Sequence, residues 1–222
     1  MIRKVAFILI IIGILFSVMF FLHNRQQQEI VTEKPATFQL SDADYAQLQN
    51  GDVILRYGYG MISEAIAKHT KGKFPVSHCG ILQQESDTTW SVIHTVSNSL
   101  VEVDGMQKDA LEKFVREGHV GSIIVLRYIS EDTLAGGKIV AKANRFLQQK
   151  IPFDNSFDFN DDSKFFCTEM LWHVFNDTLQ KDILDMEDGQ KYNCLTFDAF
   201  FNENNFKYII NYNDSTIIEN GD

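Results

Sequence analysis

The chain has 222 residues, of which 45% are hydrophobic and 23% charged, and 20 Lys plus Arg stand against 30 Asp plus Glu for a formal charge of -10. Such values exclude a mainly disordered protein and set one principal globular domain as the expectation. The acidic balance removes any general attraction to phosphate backbones, so no nucleic-acid partner is expected, and it also disfavours anionic lipid surfaces.

Val5 to Leu22 is an uncharged apolar run long enough, as a helix, to cross a bilayer core. It ends in Met19-Phe20-Phe21-Leu22 followed by His23-Asn24-Arg25 rather than in a small-residue cleavage site, so residues 1–23 read as an uncleaved transmembrane anchor. Arg3 and Lys4 keep the N-terminus in the cytoplasm and place the rest outside the cytoplasmic membrane. Residues 24–37, with Gln26-Gln27-Gln28 and Pro35, read as a polar tether, and the folded domain is expected over 38–222. Cys79, Cys167 and Cys194 are too few for a disulfide framework, and an odd number leaves at least one thiol free.

Within the domain, Ser41 or Asp42 caps a short helix to about Leu48, and Val53 to Arg56 is a strand leading into Gly58 and Gly60. Met61 to His69 reads as helix. Val76 to Leu82 and Trp90 to Val96 read as paired strands, with a third run at Leu100 to Val103. Gln107 to Val115 suits a helix, Gly121 to Tyr128 a buried strand and Ser130 to Gln149 a longer helix that Ile151-Pro152-Phe153 stops. Asp154 to Asp162 is an acidic, aromatic loop before a helix over Ser163 to Asp177. Strands in sequence with helices before and after give an α+β domain, an antiparallel sheet packed against helices.

Cys167 falls near the start of the last of these helices, where unpaired N–H groups and the helix dipole favour a thiolate. Met170, Leu171, Val174 and Phe175 follow it on one apolar face, so a small buried core cysteine is the competing reading. A nucleophile needs a base. His173 is about 240° around the helix from Cys167 and cannot reach it; His23 belongs to the membrane flank, and His69 and His119 sit in polar surroundings. His78 and His94 remain, both in strands. If the hairpin is symmetric about Ser86, they stand directly opposite one another, with Cβ atoms about 5 Å apart, and one imidazole can orient the other. Satisfied core histidines or a zinc site are the alternatives, although no CxxC or HxxxH ligand pair occurs.

The segments Gly51-Asp52-Val53-Ile54-Leu55-Arg56, Pro75-Val76-Ser77-His78-Cys79-Gly80-Ile81 and Phe165-Phe166-Cys167-Thr168-Glu169-Met170, in this order, resemble the YaeF/YiiX family of permuted papain-like amidases. That family is a circularly permuted branch of the NlpC-type cysteine hydrolases, related in layout to lecithin retinol acyltransferases. The resemblance implies a permuted papain-like fold, Cys167 as nucleophile, His78 as general base and His94 as the third polar residue, where family members often have Glu. Asp154 and Asp158 resemble the acidic loop before the family's cysteine. Asp52 and Glu169 read as a turn residue and an exposed helical face.

The implied chemistry is hydrolysis of an amide through a thioester acyl-enzyme, with the backbone N–H at Cys167, and Tyr57 or Tyr59, as oxyanion donors, and with no metal or organic cofactor needed. Location outside the membrane points to a cell-wall peptide as substrate. A lipid amide or ester is the runner-up, and a catalytically silent binding module on a membrane stalk is the rival of a different class.

Overall fold

The computed structural model describes residues 38–70, 72–184 and 196–213. The expected anchor, the tether and Cys194 lie outside the described residues, and among those described no helix is long and apolar enough to cross a membrane.

A mixed α/β architecture is built on one antiparallel sheet. Its strands are β1 (Val53–Arg56), β2 (His78–Gln84), β3 (Trp90–Val96), β4 (Gly105–Ala110), β5 (Ile124–Tyr128) and β6 (Phe206–Asn211), and their spatial order is β4-β3-β2-β1-β5-β6. The helices are α1 (Asp42–Tyr45), α2 (Met61–Thr70), α3 (Leu111–Arg116), α4 (Ala135–Gln149) and α5 (Cys167–Leu179). Ser41 starts α1 with a capping box in which its hydroxyl accepts the Asp44 N–H and the Asp44 carboxylate accepts the Ser41 N–H. α4 ends where Lys150 turns left-handed at φ 54°, ahead of Pro152.

Alternation along the strands divides the interior in two. Val53, Leu55, Cys79, Ile81, Ile93, Ile124 and Leu126 face a core that α4 and α5 close with Ile139, Phe146, Met170, Leu171, Val174 and Phe175. Ile54, Leu82, Val92 and Val125 face the opposite way, onto Leu111, Phe114 and Val115 of α3 and the incoming segment at Leu40 and Leu48.

Two expectations fail between residues 100 and 115. Leu100 to Val103 is not a strand: it lies in the β3–β4 turn, where Ser97 and Asp104 side chains accept the Ser99 and Asn98 N–H groups. The third strand is instead Gly105–Ala110, and the expected Gln107 to Val115 helix begins only at Leu111, in Leu111–Arg116. β4 is a sheet edge, so its outer side carries polar residues and the apolar alternation that marks a buried strand is missing.

Candidate active site

The hairpin register differs from symmetry about Ser86. Leu82 pairs with Val92 and Ile81 with Ile93, which centres the hairpin on Asp87 and sets Gly80, rather than His78, opposite His94. The slip is two residues, an even number, so His78 and His94 keep the same face. They meet along the diagonal, His78 Nε2 lying 2.8 Å from His94 Nδ1. Gly80 makes this possible. A Cβ there would lie 2.4 Å from Val92 Cγ1, 3.0 Å from Ile93 O and 3.1 Å from His94 Cβ.

The diagonal continues onto β4. His94 pairs with Gln107, and the carboxylate two residues on, Asp109, reaches back so that its Oδ2 is 3.3 Å from His94 Nε2 in a bent contact. Asp109 is also held by Lys113 Nζ at 2.8 Å, and these two neighbours, His94 first, keep its carboxyl down at about 2. The ionised Asp109 carboxylate, 3.3 Å away but short of a well-formed hydrogen bond, favours the proton on His94 Nε2. His94 Nδ1 is then an acceptor, His78 Nε2 donates to it, and His78 Nδ1 is left with its lone pair free. Asp109 escapes the sequence reading because Gln107 to Val115 reads as a helix.

Both rings pack on Phe114, with centroids 5.6 and 5.5 Å away, and Arg56 lies over that same ring at 4.2 Å. Arg56 stands directly opposite His78 in the sheet and is pinned by the Phe114 carbonyl and Glu117. Burial, then the Arg56 charge, then His94 push His78 well below the ordinary histidine value. Burial also lowers His94, with the Asp109 carboxylate opposing it. His78 is therefore a neutral base at neutral pH.

Cys167 is the first residue of α5, and the chain before it is fixed on several sides. Phe165 donates to Pro152 O, its carbonyl accepts from Asp154 N–H and Thr95 Oγ1, and Glu169 Oε2 accepts the Phe166 N–H. Glu169 is fully buried, which corrects its reading as an exposed helical residue; burial first, and the neighbouring Asp154, Asp162 and Asp161, push its carboxyl up to about 8. Asp154 is itself buried and holds the loop by accepting the Ser156 and Asp158 N–H groups. Asp52 serves its turn through the Gln49 N–H and is in addition a buried partner of Arg127.

The Cys167 sulfur faces the thiol of Cys79, the residue beside His78. A hydrogen bond from Cys79 is the largest cause holding the Cys167 thiol below its ordinary value; backbone N–H groups of Thr168, Cys167 and Cys79 act the same way, and burial opposes them. The cost appears at Cys79, whose own thiol burial and the Cys167 neighbour push far up.

The sequence-derived trio is thus brought together in two parts. His78 and His94 touch; Cys167 touches Cys79; and among the described residues no hydrogen bond joins Cys167 to His78. The reason is the alternation of β2: Cys79 faces the α5 core, and His78 faces α3. The parts meet at the first residue of β2, where His78 and Cys167 line one cavity of about 240 Å³ with Arg56, Thr95, Ser97 and Asn155. A second cavity of about 410 Å³ shares Ile66, Ser77, Phe157 and Cys167 and runs between α2 and Phe166, Phe197. Tyr57 stacks on His119 at 4.5 Å, Tyr59 lies tilted against it at 4.2 Å, and neither lines either cavity. His173 stacks on Phe165, as its helical offset from Cys167 demands.

With this geometry in view, residues 47–204 match the family described as permuted papain-like amidase enzyme, YaeF/YiiX, C92 family. The chain belongs to that family. Its members are cysteine amidases, so the protein is an enzyme of the cysteine hydrolase type. Among solved structures, "Crystal structure of metalloprotein yiiX from Escherichia coli O157:H7, DUF1105" matches at 21% identity and a TM-score of 0.57, over 74% of this chain and 98% of that one, which establishes a shared fold. The Escherichia coli protein is described as a metalloprotein; in this chain no three His, Cys, Asp or Glu side chains converge as a metal-ligand set among the described residues. No curated protein matches by sequence.

Proposed function

We propose that this YaeF/YiiX-family amidase hydrolyses an amide through a thioester on Cys167, with His78 as general base and acid and with His94 and Asp109 orienting it. The observation that carries this reading is the contact chain from Asp109 to His94 at 3.3 Å and from His94 to His78 at 2.8 Å, with His78 lining the cavity that also holds the Cys167 thiol. His78 Nδ1 takes the Cys167 proton as the substrate carbonyl enters; the sulfur bonds to the carbonyl carbon, and the oxyanion meets backbone N–H groups of the first turn of α5. The C–N bond breaks as His78 returns the proton to the leaving amine. Water, deprotonated by the same imidazole, then releases the acid and restores the thiol.

The anchor reading of Val5 to Leu22 belongs to the same proposal: it holds the domain on the outer side of the cytoplasmic membrane. Wall peptides and acylated lipids are both within reach there.

Iodoacetamide labelling against pH, mapped by mass spectrometry on the full chain in detergent, tests the nucleophile. Cys167 is expected to alkylate at pH values well below the ordinary cysteine value of about 8.5 and faster than Cys79 or Cys194, and Cys167→Ser to abolish amide hydrolysis. Equal rates for the three thiols, together with an active Cys167→Ser variant, would end this reading.

A further inference from the structure

Cys79 is a thiol that the proposed reaction does not consume. It lies on β2 between His78 and Gly80, pairs with Leu55 of β1, is 0% exposed and belongs to the core that α5 closes. Cys167, the first residue of α5, packs against that same core from the helix side and lines both cavities. The two sulfurs are in hydrogen-bond contact, and both cysteines are free thiols. Core packing alone asks for a small apolar side chain at position 79; it does not ask for an S–H aimed at a second sulfur.

Access and charge divide the pair into unequal members. A small oxidant entering either cavity meets Cys167, whereas Cys79 lines neither and is closed to solvent. Cys167 is also the member that becomes a thiolate, because Cys79 and the backbone N–H groups of Thr168, Cys167 and Cys79 donate to it, while burial keeps the proton on Cys79. An accessible thiolate beside a protected thiol is the arrangement of an attacking and a resolving cysteine.

We infer that Cys79 is the resolving thiol of Cys167, and that hydrogen peroxide converts the pair into a Cys79–Cys167 disulfide which a dithiol reverses. The Cys167 thiolate attacks one peroxide oxygen: the S–O bond forms, the O–O bond breaks, and the departing hydroxide takes up a proton to become water. The Cys79 sulfur then attacks the sulfenic sulfur: the S–S bond forms, the S–O bond breaks, and the second hydroxide leaves as water with the Cys79 proton. Two thiols give up two electrons and two protons, and one peroxide becomes two waters. The Cys167 neighbour is one cause of the high Cys79 value, and it vanishes once that sulfur carries oxygen in place of charge; the attacking atom is already in contact and needs no encounter. The pairing rests on the contact of the sulfurs and holds whether or not Cys167 is the nucleophile. That the disulfide silences hydrolysis rests on the reading of Cys167 above. Outside the cytoplasmic membrane, where the anchor reading puts the domain, no glutathione pool keeps thiols reduced, and a bond that forms before sulfinic acid does preserves the site for later reduction.

The full-length protein in detergent is exposed to hydrogen peroxide, blocked with iodoacetamide and mapped by mass spectrometry. The expected product is a linked pair of Cys79 and Cys167 peptides about 2 Da lighter than the two free-thiol peptides together, and dithiothreitol returns Cys167 to its starting rate of alkylation. In Cys79→Ser, which keeps a donor of similar size and cannot form the bond, prolonged exposure carries Cys167 to sulfinic or sulfonic acid, and the fraction that dithiothreitol recovers falls at least about fivefold. A free Cys79 beside an over-oxidised Cys167 in the unmodified chain, or a disulfide from Cys167 to Cys194, overturns the pairing, and both are read without the variant. A Cys79–Cys167 disulfide in a protein whose Cys167, before oxidation, alkylates no faster than Cys194 sustains the pairing and counts against the nucleophile alone.

Discussion

At the scale of single residues, the proposed mechanism depends on one proton being held in one place. Asp109 is the member of the chain that fixes it, and it touches neither substrate cavity, so it is a positioning residue. Asp109→Asn keeps the shape and removes the charge that holds the His94 proton on Nε2. The expected outcome is a 10- to 100-fold loss of kcat with little change in KM. Imidazole 15N shifts of His94 should change from a single Nε2-protonated form to a mixture of tautomers, a readout that a purely structural role would leave alone. Unchanged kcat and an unchanged His94 spectrum would remove Asp109 from the site.

At the scale of elements, the strand-borne part of the site was the most legible. Period-two alternation put His78 and His94 on one face before any register was known, and because that period is two, the register error of two residues did no harm. Asp109 was hidden because an edge strand whose polar side faces out looks, over GMQKDALEKFV, as much like a helix as a strand. The relation of His78 to Cys167 was hidden for another reason. Sequence gives the face of each side chain but not which helix covers which face, and here α5 covers the face that His78 does not use. Glu169 shows the same limit: its helical position was clear, its burial was not. That burial makes a prediction. With its native carboxyl raised from 4.5 to about 8, Glu169 keeps a proton that the unfolded chain releases, so this group's contribution to stability falls as pH rises from about 4.5 to about 8. Glu169→Gln retains an acceptor for the Phe166 N–H and does not titrate. The stability gained by the variant in urea unfolding should therefore grow steadily from pH 5 to pH 8. A difference that is constant over that range would mean Glu169 is ionised throughout.

At the scale of the whole molecule, the histidines impose the opposite slope. Burial lowers His78, His94 and His173 below 6.5, so as pH falls through about 6.5 the unfolded chain takes up protons that the folded one refuses, and stability is lost. In the Glu169→Gln background, which removes the counter-trend, the urea midpoint should fall continuously from pH 7 to pH 5. A flat midpoint would show that the three imidazoles titrate as exposed groups.

The sheet separates two cores, and the proposed nucleophile, Cys167, is built into one while its proposed base, His78, is built into the other. Catalytic competence is therefore a coincidence detector for the two layers. When α3 loosens, His78 and His94 lose the Phe114 floor while the thiol stays in place; when α5 loosens, the thiol leaves while the imidazoles stay. Either partial opening disarms the enzyme well before the chain as a whole comes apart, so its working range is set by the weaker layer and not by the melting point of the domain.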